Sequence, residues 1–257
     1  MAKTLIFNWK LNPATQKQAE ALLGVYQKTV SKNCEIVISP PFEHLWFLNA
    51  KKPVLGLGFC AQDCFWENLG PYTGAVSALN LKLSGIDYVI LGHSEKRIHL
   101  GETDAMVNKK ILNAIGSGLK PVVCFGEDLK THAKGEDVVK KFIKKQLTGA
   151  LKGLNSYSLS QKNSIIVAYE LVWAISNNSG NVADSPADAA KIIEFIKDLL
   201  VSNFGFQVPR VLYGGSVNRK NIKSFLSFDQ INGFLVGRAS LDREEIQTIV
   251  RECGAKP

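Results

Sequence analysis

The chain of 257 residues predicts a closed (β/α)8 barrel, a single domain over residues 1–257. Three observations point there. Eight short apolar runs alternate with helical stretches along the whole length, and regular βα alternation means parallel strands joined by crossover helices. A length of about 250 residues is ordinary for one such barrel. An open doubly wound sheet would carry a glycine-rich phosphate fingerprint after its first strand. Here that strand runs into Asn8-Trp9-Lys10-Leu11-Asn12-Pro13, with no glycine.

The strands are expected at 4–9, 35–39, 54–60, 88–91, 121–125, 165–169, 211–213 and 233–236. Most are continuous runs such as Ile36-Val37-Ile38, Tyr88-Val89-Ile90-Leu91 and Ile165-Ile166-Val167-Ala168-Tyr169. Unbroken apolar runs of this length suit strands covered on both faces, as in a parallel sheet wrapped by helices. Between them, Ala19, Leu22, Leu23, Tyr26 and Val30 fall at helical spacing. So do the apolar positions of 138–147, which put Lys140, Lys141, Lys144 and Lys145 on the opposite, solvated face. The helix after the sixth strand has a full set of boundary signals: Ser185 as cap, Pro186 in the first turn, Asp188 at the third position and Gly205 past the end. Ala189, Ile192, Ile193, Ile196, Leu199 and Leu200 form its core stripe.

Bulk properties narrow the function. Hydrophobic residues make up 46% and charged residues 21%, a globular balance. No apolar run approaches the ~20 residues that span a bilayer. The first residues have too short an apolar core for a signal peptide, so the expected location is the cytoplasm, with no membrane partner. Cys34, Cys60, Cys64, Cys124 and Cys253 are scattered and contain no C-x-x-C pair. That pattern argues against a disulfide framework or a zinc site and suits small core residues. The net charge of +8 lies largely on helical faces, without the aromatic interleaving of a nucleic-acid surface. No metal, cofactor or nucleic acid is expected.

A barrel of this kind holds its active site at the C-terminal ends of its strands. The first strand leads to Asn8 and Lys10, one residue apart and on the same side of a strand. They suit stabilisation of developing negative charge, or a lysine reaching out to the rim. The fourth leads to Gly92-His93-Ser94-Glu95, with Ser94 as the expected cap of the next helix. A helix N-terminus disfavours imidazolium, so His93 is read as a neutral donor. The sixth leads to Glu170, either a general base or a carboxylate held by backbone N–H groups. The last two lead to Gly214-Gly215-Ser216 and Gly237-Arg238, turns that expose backbone N–H groups where such barrels hold phosphate. His44, His99 and His132 lack such settings and are read as surface or packing residues. A base, a neutral histidine, a lysine and a phosphate cradle suit proton transfer next to a carbonyl in a small phosphosugar.

Those residues lie within segments that resemble the triosephosphate isomerase family. The segments are Asn8-Trp9-Lys10, Tyr72-Thr73-Gly74, Leu91-Gly92-His93-Ser94-Glu95, Gly101-Glu102-Thr103-Asp104, Cys124-Phe125-Gly126-Glu127, Ala168-Tyr169-Glu170, Val172-Trp173-Ala174-Ile175, Tyr213-Gly214-Gly215-Ser216-Val217 and Leu235-Val236-Gly237. They occur in family order over almost the whole chain. The resemblance implies Glu170 as base, His93 as electrophile, Lys10 as electrostatic stabiliser, Asn8 as positioning group and Glu95 as the carboxylate beside them. It implies phosphate binding at Ser176, Gly215, Ser216, Gly237 and Arg238, and a lid from Trp173 onward. It further implies dihydroxyacetone phosphate and glyceraldehyde 3-phosphate as substrates, no cofactor, and a homodimer in which the Thr73 loop reaches the partner.

The chain departs from that pattern in places. Leu171 stands where the family usually has proline, and the segment up to Pro186 is roughly three residues longer. A looser hinge and a longer lid imply an active enzyme with altered lid closure and moderately reduced turnover. Arg238 replaces a glycine of the phosphate turn. Lys96 and Ala75 replace an arginine and a glutamate that form an ion pair in the family, which reads as the loss of that pair. Two other readings fit the same residues: an isomerase of a different phosphosugar, and a non-catalytic homologue acting as a binding or scaffold protein.

Overall fold

The computed structural model describes residues 2–51, 56–172 and 185–255. Its eight strands are β1 (Lys3–Asn8), β2 (Cys34–Ser39), β3 (Leu57–Ala61), β4 (Tyr88–Leu91), β5 (Lys120–Phe125), β6 (Ile166–Tyr169), β7 (Arg210–Tyr213) and β8 (Gly233–Val236). All pair in parallel with their sequence neighbours, and β8 closes on β1 with Thr4 opposite Gly233 and Phe7 opposite Val236. The expected (β/α)8 barrel is the observed one.

Both faces of every strand are buried, which is why the sequence runs are continuous. Ile6, Val37, Cys60, Ile90, Val122, Cys124, Ile166, Ala168, Leu212 and Leu235 fill the barrel interior. Their neighbours, such as Leu5, Phe7, Ile36, Ile38, Val123, Val167 and Val211, face outward into the layer between sheet and helices. The period of two then fixes what reaches the mouth. Continuing the inward positions gives Asn8 after Ile6, Glu170 after Ala168, Gly214 after Leu212 and Gly237 after Leu235.

The helix Pro186–Phe204 begins and ends as its sequence indicates. Ser185 accepts the Asp188 N–H and Gly205 closes the helix in a left-handed conformation (φ 68°). In the helix Glu136–Ala150, Val139, Ile143 and Leu147 are buried while Lys141, Lys144 and Lys145 are exposed. All five cysteines are buried. Among the described residues, no helix is long and apolar enough to cross a membrane.

Some expectations are corrected. β3 starts at Leu57, after a turn at Gly56 (φ 98°); positions 54 and 55 of the expected strand lie outside the described residues. β1 ends at Asn8, so Lys10 is not a strand residue. Ser94 is not the cap of its helix but its first residue; His93 is the cap. Lys96, whose family pair with position 75 is absent, has another partner: its Nζ lies 2.8 Å from Asp63 Oδ2. Asp63 also pairs with the buried Lys110 at 2.7 Å, and Lys110 in turn contacts Glu102.

Candidate active site

The mouth of the barrel opens into a cavity of about 540 Å3 lined by residues from the ends of β1, β4, β6, β7 and β8. Asn8, Lys10, His93, Glu95, Glu170, Gly214, Gly215, Ser216, Gly237 and Arg238 all contribute. Every sequence-predicted site residue within the described part of the chain is therefore brought to one place. Ser176 and the rest of the lid, 173–184, lie outside the described residues.

Lys10 reaches the cavity through a left-handed turn rather than by strand alternation. Its φ is 55°, and Asn8 Oδ1 accepts its N–H at 3.0 Å. Gln62 Nε2 donates to the Lys10 carbonyl at 2.8 Å and to Ser39 O at 3.0 Å, tying the turn to β2 and β3. The Lys10 ammonium then meets Glu95 Oε1 at 2.6 Å. Asn8 is braced from below: the buried Ser240 hydroxyl donates to its carbonyl at 3.1 Å, and Tyr26 donates to Ser240 O at 2.6 Å.

His93 follows Gly92, whose left-handed backbone (φ 71°) turns the chain out of β4. That turn is pinned on both sides. Gly92 N–H donates to Glu102 Oε2 at 3.1 Å, and Arg97 Nε donates to Gly92 O at 2.8 Å. As helix cap, His93 Nδ1 accepts the Glu95 N–H at 3.2 Å. A ring nitrogen that accepts carries no proton, so in the neutral ring the proton sits on Nε2, the nitrogen nearest Glu170.

Glu170 is 2% exposed. Oε2 accepts the Ser94 N–H at 2.9 Å. Oε1 lies 3.0 Å from His93 Nε2, within charge contact but without the alignment of a hydrogen bond. Among the described residues it is a buried oxygen with no hydrogen-bond partner. One oxygen is thus held by a backbone N–H, and the other has no hydrogen-bond partner among the described residues. The strand end is locked by backbone bonds from Glu170 N to Phe125 O (2.7 Å) and from Gly214 N to Tyr169 O (2.8 Å). Beneath the carboxylate, burial pushes the Cys124 thiol well above its ordinary range, and the Glu170 charge adds to the effect. The thiol stays protonated and serves as packing.

Two parts of the site had weak sequence signals. Gln62 and Ser240 are ordinary polar residues until the fold places them beside Lys10 and Asn8. Glu127 is fully buried, and burial raises its carboxyl above the ordinary range. It accepts the Tyr169 hydroxyl at 3.0 Å, and its backbone carbonyl accepts the Val172 N–H at 3.3 Å. Its position after a strand-ending Cys-Phe-Gly was the available clue. Among the described residues, no group of three or more His, Cys, Asp and Glu side chains is placed to hold a metal ion.

Comparison with known proteins agrees with this geometry. Residues 3–253 match the family model described as triosephosphate isomerase. The triosephosphate isomerase of Citrifermentans bemidjiense is 41% identical over 249 residues, covering 95% of this chain and 96% of that protein. That of Aquifex aeolicus is 38% identical over 256 residues, covering 97% and 99%. That of Thermoanaerobacter pseudethanolicus is 36% identical over 246 residues, covering 95% and 96%. With eight parallel strands closed in sequence order and the expected groups around one cavity, the chain belongs to the triosephosphate isomerase family.

Proposed function

We propose that the protein interconverts dihydroxyacetone phosphate and glyceraldehyde 3-phosphate through an enediolate. Glu170 removes the proton from the carbon next to the carbonyl and returns it to the neighbouring carbon. His93 donates from Nε2 to the carbonyl oxygen as charge develops, and Lys10 stabilises that charge from the other side. Asn8 orients the substrate and Glu95 holds the Lys10 ammonium in place. The backbone around Gly215, Ser216 and Gly237, with Arg238 and Ser176, holds the phosphate. No cofactor takes part.

The observation that carries this reading is a Glu170 oxygen without a hydrogen-bond partner 3.0 Å from Nε2 of a histidine whose Nδ1 accepts a backbone N–H, both at one cavity. Turning the carboxylate toward substrate exchanges the Ser94 N–H bond for the reacting C–H. Losing a bond to a charged group costs about 2 kcal/mol, which substrate contacts must offset.

The active form is a homodimer in this reading. Thr73, Leu69 and Tyr72 are exposed on the loop between β3 and the helix Ala78–Leu83, which supports this reading.

A coupled isomerase assay on the wild type and on Glu170→Asp tests the assignment. Withdrawing the carboxylate by one methylene should lower turnover roughly 100-fold, since misplacement of about 1 Å costs that much in an aligned site. An inactive wild type would refute the isomerase, and equal rates in the two proteins would refute the base.

A further inference from the structure

We propose that Asp63 is a positioning residue for His93. It holds the turn that carries the histidine by two arms, one through Lys96 and one through Lys110 and Glu102. The inference rests on the reading of His93 as the electrophile of an isomerase and adds to it the device that sets where the ring stands.

Asp63 is not among the described residues that line the cavity. It follows β3, and the Cys64 N–H donates to its Oδ1 at 2.9 Å, which fixes the carboxylate on the backbone leaving the strand. One arm is short. Asp63 Oδ2 lies 2.8 Å from Lys96 Nζ, and the Lys96 N–H donates to the His93 carbonyl at 2.9 Å. The other arm is longer. Lys110 Nζ donates to Asp63 Oδ1 at 2.7 Å and Oδ2 at 3.0 Å, and also to Glu102 Oε1. Glu102 Oε2 then accepts the Gly92 N–H at 3.1 Å. The two arms therefore close on consecutive residues, Gly92 and His93.

Charge alternates along this path: Lys96 positive, Asp63 negative, Lys110 positive, Glu102 negative. Lys110 and Glu102 are each 5% exposed, so each depends on its protein partners rather than on water to stay ionised. Burial works against the Lys110 ammonium. The carboxylates, Asp63 ahead of Glu102, more than offset it and hold its pKa above the ordinary lysine value. Without the Asp63 charge the ammonium would keep one carboxylate, draw toward it and shift the group that accepts the Gly92 N–H. Lys96 would lose its ion pair at the same time. The turn itself is closely packed: a Cβ built on Gly92 would lie 3.0 Å from Arg97 Nη2 and 3.2 Å from Cys124 O. A shift of the Gly92 amide is therefore carried along the backbone to His93 rather than absorbed in free space. His93 has little tolerance for it, because its Nε2 stands 3.0 Å from Glu170 Oε1.

Asp63→Asn keeps the shape of the side chain and the oxygen that accepts the Cys64 N–H, and removes the charge. In the coupled assay its kcat should fall about tenfold. That is less than the roughly 100-fold of a 1 Å misplacement, because the Arg97 bond to Gly92 O remains. KM should stay within twofold, since in this reading the phosphate is held after β7 and β8, which neither arm reaches. A purely structural role would leave kcat of the folded protein unchanged and show only in thermal unfolding. Lys96→Met cuts the short arm alone and should lower kcat about threefold. Because Lys96 acts through Asp63, the double variant should be no slower than Asp63→Asn. Imidazole 15N spectra read the ring without turnover. The two His93 nitrogens, well separated in the wild type as in one fixed tautomer, should draw together in Asp63→Asn as the ring loses its place. Native kcat in Asp63→Asn, losses that multiply in the double variant, or unmoved His93 resonances would each overturn the proposal. If Asp63→Asn does not fold, Lys96→Met decides, and native kcat with unmoved resonances there refutes it. A wild type without isomerase activity would refute the proposed reaction, while the His93 resonances would still decide whether Asp63 sets the ring.

Discussion

Lys10 is the one non-glycine among the described residues with a left-handed backbone, at φ 55°. Such a conformation costs roughly 1–3 kcal/mol and persists only where neighbours fix it. Here Asn8 Oδ1 accepts the Lys10 N–H and Gln62 Nε2 donates to its carbonyl. Removing Gln62 should therefore reach the ammonium without touching substrate. Gln62→Ala should lower kcat/KM about tenfold, as the Lys10 head group loses its fixed position. It should also destabilise the fold by about 1 kcal/mol, the usual net worth of a lost hydrogen bond. Steady-state kinetics and urea denaturation measure the two, and unchanged kcat/KM would show that Asn8 alone holds the turn. The sequence revealed that Lys10 belongs to the site but not how it gets there. Alternation along a strand is legible from residue order, whereas a turn fixed by a glutamine 52 residues away is a tertiary fact. The cap at β4 was misread for a related reason. Serine is the commoner cap residue, yet the chain leaves β4 through Gly92 one residue early and His93 takes the position. That shift is what sets the histidine tautomer.

At the level of elements, the strands were legible because burial on both faces demands continuous apolar runs, and their inward parity leads straight to Asn8 and Glu170. The helix Pro186–Phe204 was legible because its cap and terminator are local. What no local pattern shows is how closely the strand ends approach. A Cβ at Gly126 would lie 1.6 Å from the Glu170 carbonyl oxygen, far inside any real contact. The glycine after β5 thus exists to let the backbone carrying the base pass close by, and the Glu170 N–H bond to Phe125 O at 2.7 Å depends on it. Gly126→Ala should push the end of β6 outward and displace the carboxylate. The expected result is a loss of turnover of roughly 100-fold together with about 2 kcal/mol of stability, the size of an overpacked core site. Rates and urea midpoints read on the same preparation check it. An alanine variant with native turnover would mean that β5 and β6 separate without moving Glu170.

For the whole molecule, the open question is what covers the first half of the barrel rim. Large apolar side chains stand exposed after three of the first four strands: Leu11 (83%) after β1, Leu69 (79%) and Tyr72 (42%) after β3, and Ile98 (63%) on the helix after β4. Since β1 to β4 are neighbours in the barrel, these groups gather on one side of it. Solitary exposed apolar residues need no explanation, but a group on one side of the molecule marks a contact surface. Phe65 stacks on Trp66 at 4.1 Å and packs tilted against Tyr72 at 4.7 Å, so the loop is stiff enough to present its tip without a large ordering cost. The same side carries Lys10 next to Leu11, so a second copy seated there would cover one edge of the site. Tyr72→Glu puts a charge into that surface, where desolvating it without a partner is costly. Sedimentation velocity should show a wild-type dimer at micromolar concentration. The variant should have a dimer dissociation constant raised at least tenfold, and its specific activity should fall on dilution as monomer accumulates. A wild type that sediments as a monomer with undiminished activity would remove the partner from the mechanism and leave the apolar rim to another use.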